Sequence, residues 1–471
     1  MKLWPFILGI VLLAGCARFQ SKPISPVETA AKLESRSLTN AVLQTFLENN
    51  LHREFTNWPA AQWDFDMLTH AAFYYHPSLD VARAQWHVTQ AGVKTAGGRP
   101  NPTLTVTPGY NTTFASGVSP WFPAVNLDIP IETAGKRGKR IAVAEQLSEG
   151  ARLNIAAIAW QVRSGVRAKL LNFVVIQRRE ALLKAQVATQ EQLVKLFGHK
   201  IEAGDLAGWV LSSMRLALTK ARLDLADAQS QFTGARVNLA EAIGVPAGAL
   251  DAVQFSFELQ NESDPVKNLT LPEVQRQALL GRVDILGALA QYAAAEATLR
   301  LEIAKQYPDV HLNPGYQFDQ GQDKWSLGIG VDLPVFNHNQ GPIAEAEARR
   351  EEVAARFNEL QAKVMAEIER ALSVFRVSEN NSALLQSLAD DQEKQRASIE
   401  TQFKSGELEQ GNLLNAELES FTSQMVRLDG QFKLQQAIGN LEEALQSPIG
   451  WTDALWTVPP RNTTTKGQQH E

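Results

Sequence analysis

An internal duplication constrains this chain more than any other feature of its sequence. When the chain is aligned on itself at an offset of 206, Pro108-Gly109-Tyr110 falls on Pro314-Gly315-Tyr316. At the same offset Ala72, Ala82, Ala84, Gln85, Ala91 and Pro102 fall on Ala278, Ala288, Ala290, Gln291, Ala297 and Pro308. By length alone, 471 residues could form about three domains. The repeat instead predicts one architecture made of two tandem copies, roughly 63–250 and 270–450.

Each copy contains two short segments in which apolar and polar residues alternate, the pattern of a β-strand with one apolar and one polar face. The alternation begins after Pro102 in the first copy and after Pro308 in the second. The apolar positions are Leu104, Val106, Val125, Leu127 and Ile129 in the first copy, and Val310, Leu312, Trp325, Leu327, Ile329, Val331 and Leu333 in the second. Each copy is therefore expected to contribute a β-hairpin.

A long stretch without proline follows each predicted hairpin, from Lys139 to Ala203 and from Ile343 to Ser405, with apolar residues at three- and four-residue spacings. About 63 helical residues would span roughly 95 Å, which is typical of coiled coils and tubes rather than of compact domains. Gly204 and Gly406 would reverse the chain. The other predicted helices cover Phe65 to Ala96 and Pro272 to Lys305 before the hairpins, and Leu206 to Ala242 and Leu408 to Leu445 after the turns.

The N-terminus has the pattern of a secretory signal, an apolar run after Lys2. Leu13-Ala14-Gly15-Cys16 resembles the bacterial lipobox, which implies cleavage before Cys16, its acylation with a fatty acid such as palmitate, and sorting to the outer membrane. A free cysteine beside an ordinary signal is the alternative interpretation. The predicted segments are a signal peptide at 1–15, a lipidated tether at 16–37, a first repeat with its N-terminal helix at 38–260, a second repeat at 261–450 and a polar tail at 451–471.

Composition and motifs exclude several functional classes. The chain has 45 Lys and Arg against 51 Asp and Glu, so it lacks the positive surplus of a nucleic-acid-binding protein. A single cysteine can form neither an internal disulfide nor a cysteine-based metal site. Because no catalytic triad, HExxH spacing or dinucleotide-binding fingerprint is present, we expect no enzymatic activity and no cofactor or metal site.

The predicted strands fit two kinds of sheet. A transmembrane barrel has an apolar lipid face and a polar lumen face, whereas a soluble antiparallel sheet packed on helices has the same alternation. Aromatic residues favour the barrel: Tyr110 and Tyr316 occupy equivalent positions, and Trp121, Phe122 and Trp325 are expected to begin the returning strands, as in an interfacial girdle. Because transmembrane barrels need at least about eight strands, four strands per chain would require oligomerisation.

Two groups of charged residues lie on or beside the predicted strands. Asp128 and Asp332 belong to the polar face, where they would line the lumen and favour cations. They could equally be rim residues that cap a helix or contact water. The basic segment Gly135–Arg140 lacks the spacing of a P-loop. In one interpretation the segment lies where a strand leaves the membrane, with its cations near lipid headgroup phosphates. In the other it is a solvated turn.

Several segments together resemble the TolC-type outer-membrane efflux proteins. They are Asn101-Pro102-Thr103-Leu104, the run from Leu127 to Arg137, Tyr307-Pro308-Asp309-Val310, the run from Val331 to Phe336, and Gly341-Pro342-Ile343. The resemblance covers about residues 38–450 and implies a mainly α fold with a small β part. In that fold, four strands from each chain of a homotrimer form one barrel in the lipid of the outer membrane, above a long α-helical periplasmic tunnel. The segment 132–140 more closely resembles the heavy-metal efflux branch.

The resemblance also implies a function and partners. The chain would be the passive exit duct of a tripartite efflux system, supplied by a periplasmic adaptor and an inner-membrane pump of the resistance-nodulation-division type. The periplasmic mouth and adaptor contact would then be formed by Gly204, Asp205, Leu206, Gly406, Glu407, Leu408 and Glu409. The acidic residues among them could attract cations or could favour the N-termini of the returning helices. The alternative function is a non-channel periplasmic coiled-coil scaffold or adaptor lipoprotein.

Overall fold

The computed structural model describes residues 18–204, 207–251, 253–259 and 270–448, which are mainly helical. The predicted acylation site Cys16, the turn residues Asp205 and Leu206, and the predicted tail 451–471 therefore lie outside the described residues. Within the described ranges, no helix combines the length and the apolar character that crossing a membrane requires.

Two helices and a short strand precede the duplicated part: α1 (Pro26–Glu34), α2 (Ala41–Leu51) and β1 (Gln62–Trp63). The segment predicted to be a tether thus contains a helix. Ser25 starts α1 by accepting a hydrogen bond from the backbone N–H of Glu28, and Pro26 occupies the first turn, where a missing N–H costs nothing.

The two copies repeat the same order of six elements, which confirms the duplication. The first copy contains α3 (Phe65–Tyr75), α4 (Pro77–Ala96), β2 (Thr103–Thr107), β3 (Ala124–Ile131), α5 (Lys136–Glu202) and α6 (Trp209–Ile243). After β4 (Gln254–Phe255), which pairs with β1, the second copy contains α7 (Leu271–Gly281), α8 (Val283–Ala304), β5 (Val310–Asp319), β6 (Gln322–Val331), α9 (Gln340–Lys404) and α10 (Gln410–Leu445). The long helices have 67 and 65 residues, and the returning helices have 35 and 36.

The helical stretch before each hairpin is two helices, where the sequence predicted one. In the first copy the break lies at His76, which is extended because the following residue is Pro77. In the second copy Arg282 is extended without a following proline. Its guanidinium donates to the Ala444 carbonyl at 2.6 Å and to Asp284 Oδ2 at 2.6 Å, so tertiary contacts determine this break.

The long helix α5 occupies the centre of the helical part. The returning helix α6 is about half as long as α5, so it accompanies only part of α5. The helices α4 and α8, which lead into the strands, also pack against α5, as does α10 of the second copy. Each long helix is therefore accompanied by shorter helices from both of its ends.

The largest hydrophobic core surrounds the end of α6. It contains Leu38, Leu43, Leu47, Trp63, Met67, Leu68, Val166, Leu170, Leu239 and Ile243, all nearly inaccessible to solvent. A second core contains Val274, Ile285, Val364, Ile368, Phe375 and Leu441 from the second copy. Burial of one large aliphatic side chain contributes about 1.5–3 kcal/mol, so these cores hold the helices together at mid-length. Neither core includes residues of the four longer strands or of the far turns.

Candidate functional site

The four longer strands form one antiparallel sheet in the order β2-β3-β5-β6. The hairpins of the two copies pair through β3 and β5. Within the described part of the chain, β2 and β6 are therefore the edges of the sheet. This arrangement confirms the prediction that each copy contributes one hairpin.

The strand register sorts the side chains onto two faces. Apolar residues lie opposite one another in the pairs Leu104–Leu127, Val106–Val125, Ile129–Leu312, Ile131–Val310, Val310–Val331 and Pro314–Leu327. Polar residues lie opposite one another or opposite glycine in the pairs Thr103–Asp128, Thr105–Asn126, Asn313–Gly328, Gly315–Ser326 and Gln317–Lys324. Since adjacent residues alternate between the faces, one face is apolar and the other is polar.

The apolar face is uncovered. Leu104 is 63% exposed, Leu327 70% and Ile329 69%. A soluble sheet packed on helices would bury such residues, so the exposure argues against the soluble alternative. An uncovered apolar sheet face opposite a polar one is the arrangement of a transmembrane barrel wall.

Each hairpin carries one pair of aromatic rings near its turn. The ring centroids of Tyr110 and Trp121 are 4.9 Å apart, as are those of Tyr316 and Trp325. The prediction that Trp121, Phe122 and Trp325 begin the returning strands is wrong in detail. Trp121 and Phe122 precede β3, because Pro123 has no N–H for a continuous ladder, and Trp325 is the fourth residue of β6.

The two predicted lumen aspartates differ in their surroundings. Asp128 lies on the polar face in β3, and its Oδ1 is 2.9 Å from Nδ1 of His311 in β5. Asp332 is exposed and lies one residue beyond β6, so it is not the strand residue that the sequence predicted. The ladder ends there because β5 starts at Val310, the partner of Val331, and offers no residue opposite Asp332.

Ion pairs and a hydrogen bond connect the strands to the start of α5. Lys136 Nζ lies 2.8 Å from Asp309 Oδ1, and the Thr133 hydroxyl donates to the Pro308 carbonyl at 2.6 Å. Arg140 binds both carboxylate oxygens of Glu132. Two cations of the basic segment Gly135–Arg140 are thus occupied by carboxylates.

The two long helices end in the same way, at a glycine. Gly204 and Gly406 have φ values of +87° and +81°, a left-handed conformation that favours glycine at a helix end. The backbone N–H groups of Glu407 and Leu408 both donate to the Gln402 carbonyl. The predicted mouth residues Asp205 and Leu206 lie outside the described residues.

Glu409 connects the two turns. It precedes the first residue of α10, yet its side chain makes no capping hydrogen bond. Its carboxylate forms an ion pair with Lys200 near the end of α5. The turns at 204 and 406 therefore lie side by side at the end of the helices that is far from the sheet.

Sequence analysis missed the partners in both places, Lys200 and His311. Asp128 and His311 are 183 residues apart, and Lys200 and Glu409 are 209 apart. Only the pairing of the two copies brings them together. The repeat offset is close to the separation of Lys200 and Glu409 but gives no signal for the contact between Asp128 and His311. Within the described ranges, no three His, Cys, Asp or Glu side chains are grouped so that they could hold a metal ion.

The family model for outer membrane efflux proteins matches residues 68–245 and 274–446, the two structural copies. The chain belongs to the outer membrane efflux protein family. This places it among TolC-type proteins of the outer membrane and confirms the family predicted from the sequence.

The chain is similar to two known proteins and to one solved structure in particular. It is 24% identical to the cobalt-zinc-cadmium resistance protein CzcC of Cupriavidus metallidurans, over 78% of this chain and 86% of CzcC. It is 23% identical to the probable outer membrane lipoprotein SilC of Salmonella typhimurium, over 95% of this chain and 98% of SilC. The Campylobacter jejuni outer membrane channel CmeC has the same fold, with a TM-score of 0.65 at 14% identity, covering 94% of this chain and 96% of CmeC.

Proposed function

We propose that this chain is the exit duct of a tripartite efflux system, which conducts substrates passively after an inner-membrane pump and a periplasmic adaptor deliver them. The observation that carries the proposal is the joining of a two-faced, uncovered sheet to very long helices. The sheet suits the outer membrane, and 67 helical residues span about 100 Å of periplasm. Family membership supports the same function.

The length of the β5–β6 hairpin suits a bilayer. β5 and β6 have ten residues each. At about 3.4 Å per residue and a tilt of about 40°, such strands rise about 26 Å, close to the apolar band of outer-membrane barrels. The Tyr316–Trp325 pair near the turn then lies at the outer membrane interface, where aromatic rings are favourable.

A closed wall requires several chains. The edge strands β2 and β6 would pair between neighbouring protomers, and three chains would supply twelve strands, above the minimum of about eight. Asp128 and Asp332 would then line or border the lumen. In the homotrimer the same contact, β6 of one protomer against β2 of the next, would occur three times and close the ring.

The far turns form the periplasmic mouth and the adaptor contact in this proposal. Gly204, Asp205 and Leu206 alternate with Gly406, Glu407, Leu408 and Glu409 around the trimer, which concentrates acidic side chains in a ring. The name of CzcC supports divalent metal cations as substrates, and such cargo suits an acidic ring and a pump of the resistance-nodulation-division type. The name of SilC supports acylation of Cys16, and Cys16→Ser would abolish incorporation of a labelled fatty acid.

Native mass spectrometry of the detergent-purified chain tests the proposal. If the chain is an exit duct, we expect a trimer in detergent. The trimer should need detergent to stay in solution even in the Cys16→Ser variant, which lacks the lipid anchor. A scaffold with a soluble sheet would give a Cys16→Ser protein that stays dispersed without detergent. A monodisperse monomer in either preparation would refute the shared barrel.

A further inference from the structure

A groove lies where the sheet joins the helices. It opens between the start of α5 and the end of α8 and has a volume of about 600 Å³. Ile303, Ala304 and Tyr307 belong to its apolar lining, and Lys139 and Arg300 contribute cations. The groove thus combines an apolar surface with positive charge.

The groove continues the apolar face of the sheet. Ile131 and Val310 form the last registered pair of β3 and β5 on that face. Two residues further along each chain segment, Thr133 and Pro308 lie opposite each other, joined by the 2.6 Å hydrogen bond, and both line the groove. The groove therefore begins about 7 Å beyond the apolar band.

The carboxylates around the groove are already paired. Glu132 binds Arg140, Asp309 binds Lys136, Glu296 binds Arg300, and Glu302 binds Lys305. No carboxylate of the described residues forms an ion pair with Lys139 or Arg137, and Arg137 Nε donates to the Gly97 carbonyl at 2.7 Å. A surplus of positive charge remains, which an anionic ligand would neutralise.

A neighbouring protomer would not fill this groove. It lies below β3 and β5, the central strands of the sheet, whereas neighbours join at the edges β2 and β6. The groove would therefore remain open toward the membrane interface, where Tyr307 is 61% exposed.

We propose that the groove binds one anionic glycerophospholipid of the periplasmic leaflet per chain. The phosphodiester lies between Lys139 and Arg300, one acyl chain lies along Ile131 and Val310, and Tyr307 borders the glycerol region. Basic pockets at a membrane interface bind anionic headgroups in this way. The inference rests on the proposed function, because the outer-membrane placement brings lipid to the groove.

Native mass spectrometry of the full chain in nanodiscs tests this inference, with phosphatidylcholine alone or with one fifth phosphatidylglycerol. The test variant is Lys139→Gln with Arg300→Gln. The matched control is Lys220→Gln with Arg356→Gln, which removes the same charges from α6 and α9, and Arg356, like Arg300, pairs with the glutamate four residues before it. We expect the wild type and the control to retain three phosphatidylglycerol molecules per trimer, and the test variant to retain at least fivefold less.

The outcomes separate this inference from the proposed function. A trimer that binds phosphatidylglycerol no better than phosphatidylcholine, or a test variant that binds like the control, would overturn the lipid site and leave the duct standing. Release of the retained lipid by millimolar inorganic phosphate would identify a free-phosphate site and overturn the lipid assignment. A chain that forms no trimer would refute the proposed function itself.

Discussion

At the scale of single residues, a buried ion cluster joins the two copies. Arg163 Nη1 lies 2.9 Å from Glu442 Oε2, and Arg167 Nε lies 3.5 Å from the same oxygen. All three side chains are less than a tenth exposed. Arg167 also donates to Gln435 in α10, so both arginines of α5 depend on acceptors from the second copy.

Glu442→Gln should destabilise the protein strongly. The substitution removes the charged carboxylate that the two buried guanidinium groups share, and breaking one side of a buried pair costs about 3–5 kcal/mol. Thermal unfolding in detergent measures the effect. The matched control is Glu352→Gln, which breaks the exposed pair with Arg356 and should cost at most about 1 kcal/mol. Equal shifts in the two variants would contradict the structural role of the cluster.

Asp66 gives stability a pH dependence. Burial, reinforced by the carboxylate of Asp64, raises the pKa of Asp66 to about 6, although Arg163 and Arg53 oppose the shift and Glu442 adds to it. Between about pH 4 and 6 the folded state therefore holds more protons at Asp66 than the unfolded state does. The free energy of unfolding falls as pH rises through this window.

Asp66→Asn should therefore raise the melting temperature at pH 7.5 and have little effect near pH 4. At 1.36 kcal/mol per pKa unit, the rise from 3.8 to about 6 corresponds to about 3 kcal/mol. After a discount for the exposed part of the side chain we expect about 1 kcal/mol. Asp227→Asn, on the exposed surface of α6, serves as the control. A gain that is the same at both pH values would show that ionisation of Asp66 is not its source.

At the scale of elements, Gly244 fixes where α6 ends. Its φ is +85°, and a Cβ there would lie 2.9 Å from the Tyr75 carbonyl oxygen. Arg36 donates to the carbonyls of both Tyr75 and Gly244, which holds α3 against the end of α6. The first core depends on this junction.

Gly244→Ala should destabilise the protein by about 1–3 kcal/mol, because it combines a disfavoured backbone conformation with a steric contact. Gly234→Ala is the matched control. Gly234 is inside α6 with open space around its Cα, so alanine there should stabilise the helix by about 0.5–1 kcal/mol. Melting temperatures that move in the same direction would contradict this explanation.

The Lys200–Glu409 pair holds the two far turns together. Glu409→Lys places like charges there, so we expect the turns to separate and the conductance of the reconstituted channel to rise. The swapped variant Lys200→Glu with Glu409→Lys restores opposite charges and should restore the wild-type conductance. If the swap behaves like the single variant, the ion pair does not control the mouth.

The periodicity was sufficient to predict the hairpins and the long helices, because it is a local pattern, and the repeat shows it twice. The start of β3 at Ala124 was missed although Pro123 marks it in the sequence. The break at Arg282 could not be predicted, because a distant acceptor determines it. The helix α1 was missed because its sequence is short and polar, although Ser25-Pro26 is a recognisable start. The contacts of His311 and Lys200 depend on how the copies pair.

At the scale of the whole molecule, the sheet of one described chain cannot by itself form a closed barrel. Its sheet has two free edges and an uncovered apolar face, and its helices place the acidic turns far from the sheet. Closure by three chains would satisfy the edges, and lipid would cover the apolar face. The resulting pore would need no energy of its own, because nothing in the proposed route requires a chemical step.

Single-channel recording of the purified full chain in planar bilayers tests the duct most directly. The account predicts discrete, uniform conductance steps with no energy source, pump or adaptor present, and larger steps for Glu409→Lys. If protein confirmed as an inserted trimer conducts no ions as wild type or as Glu409→Lys, the chain is not a duct.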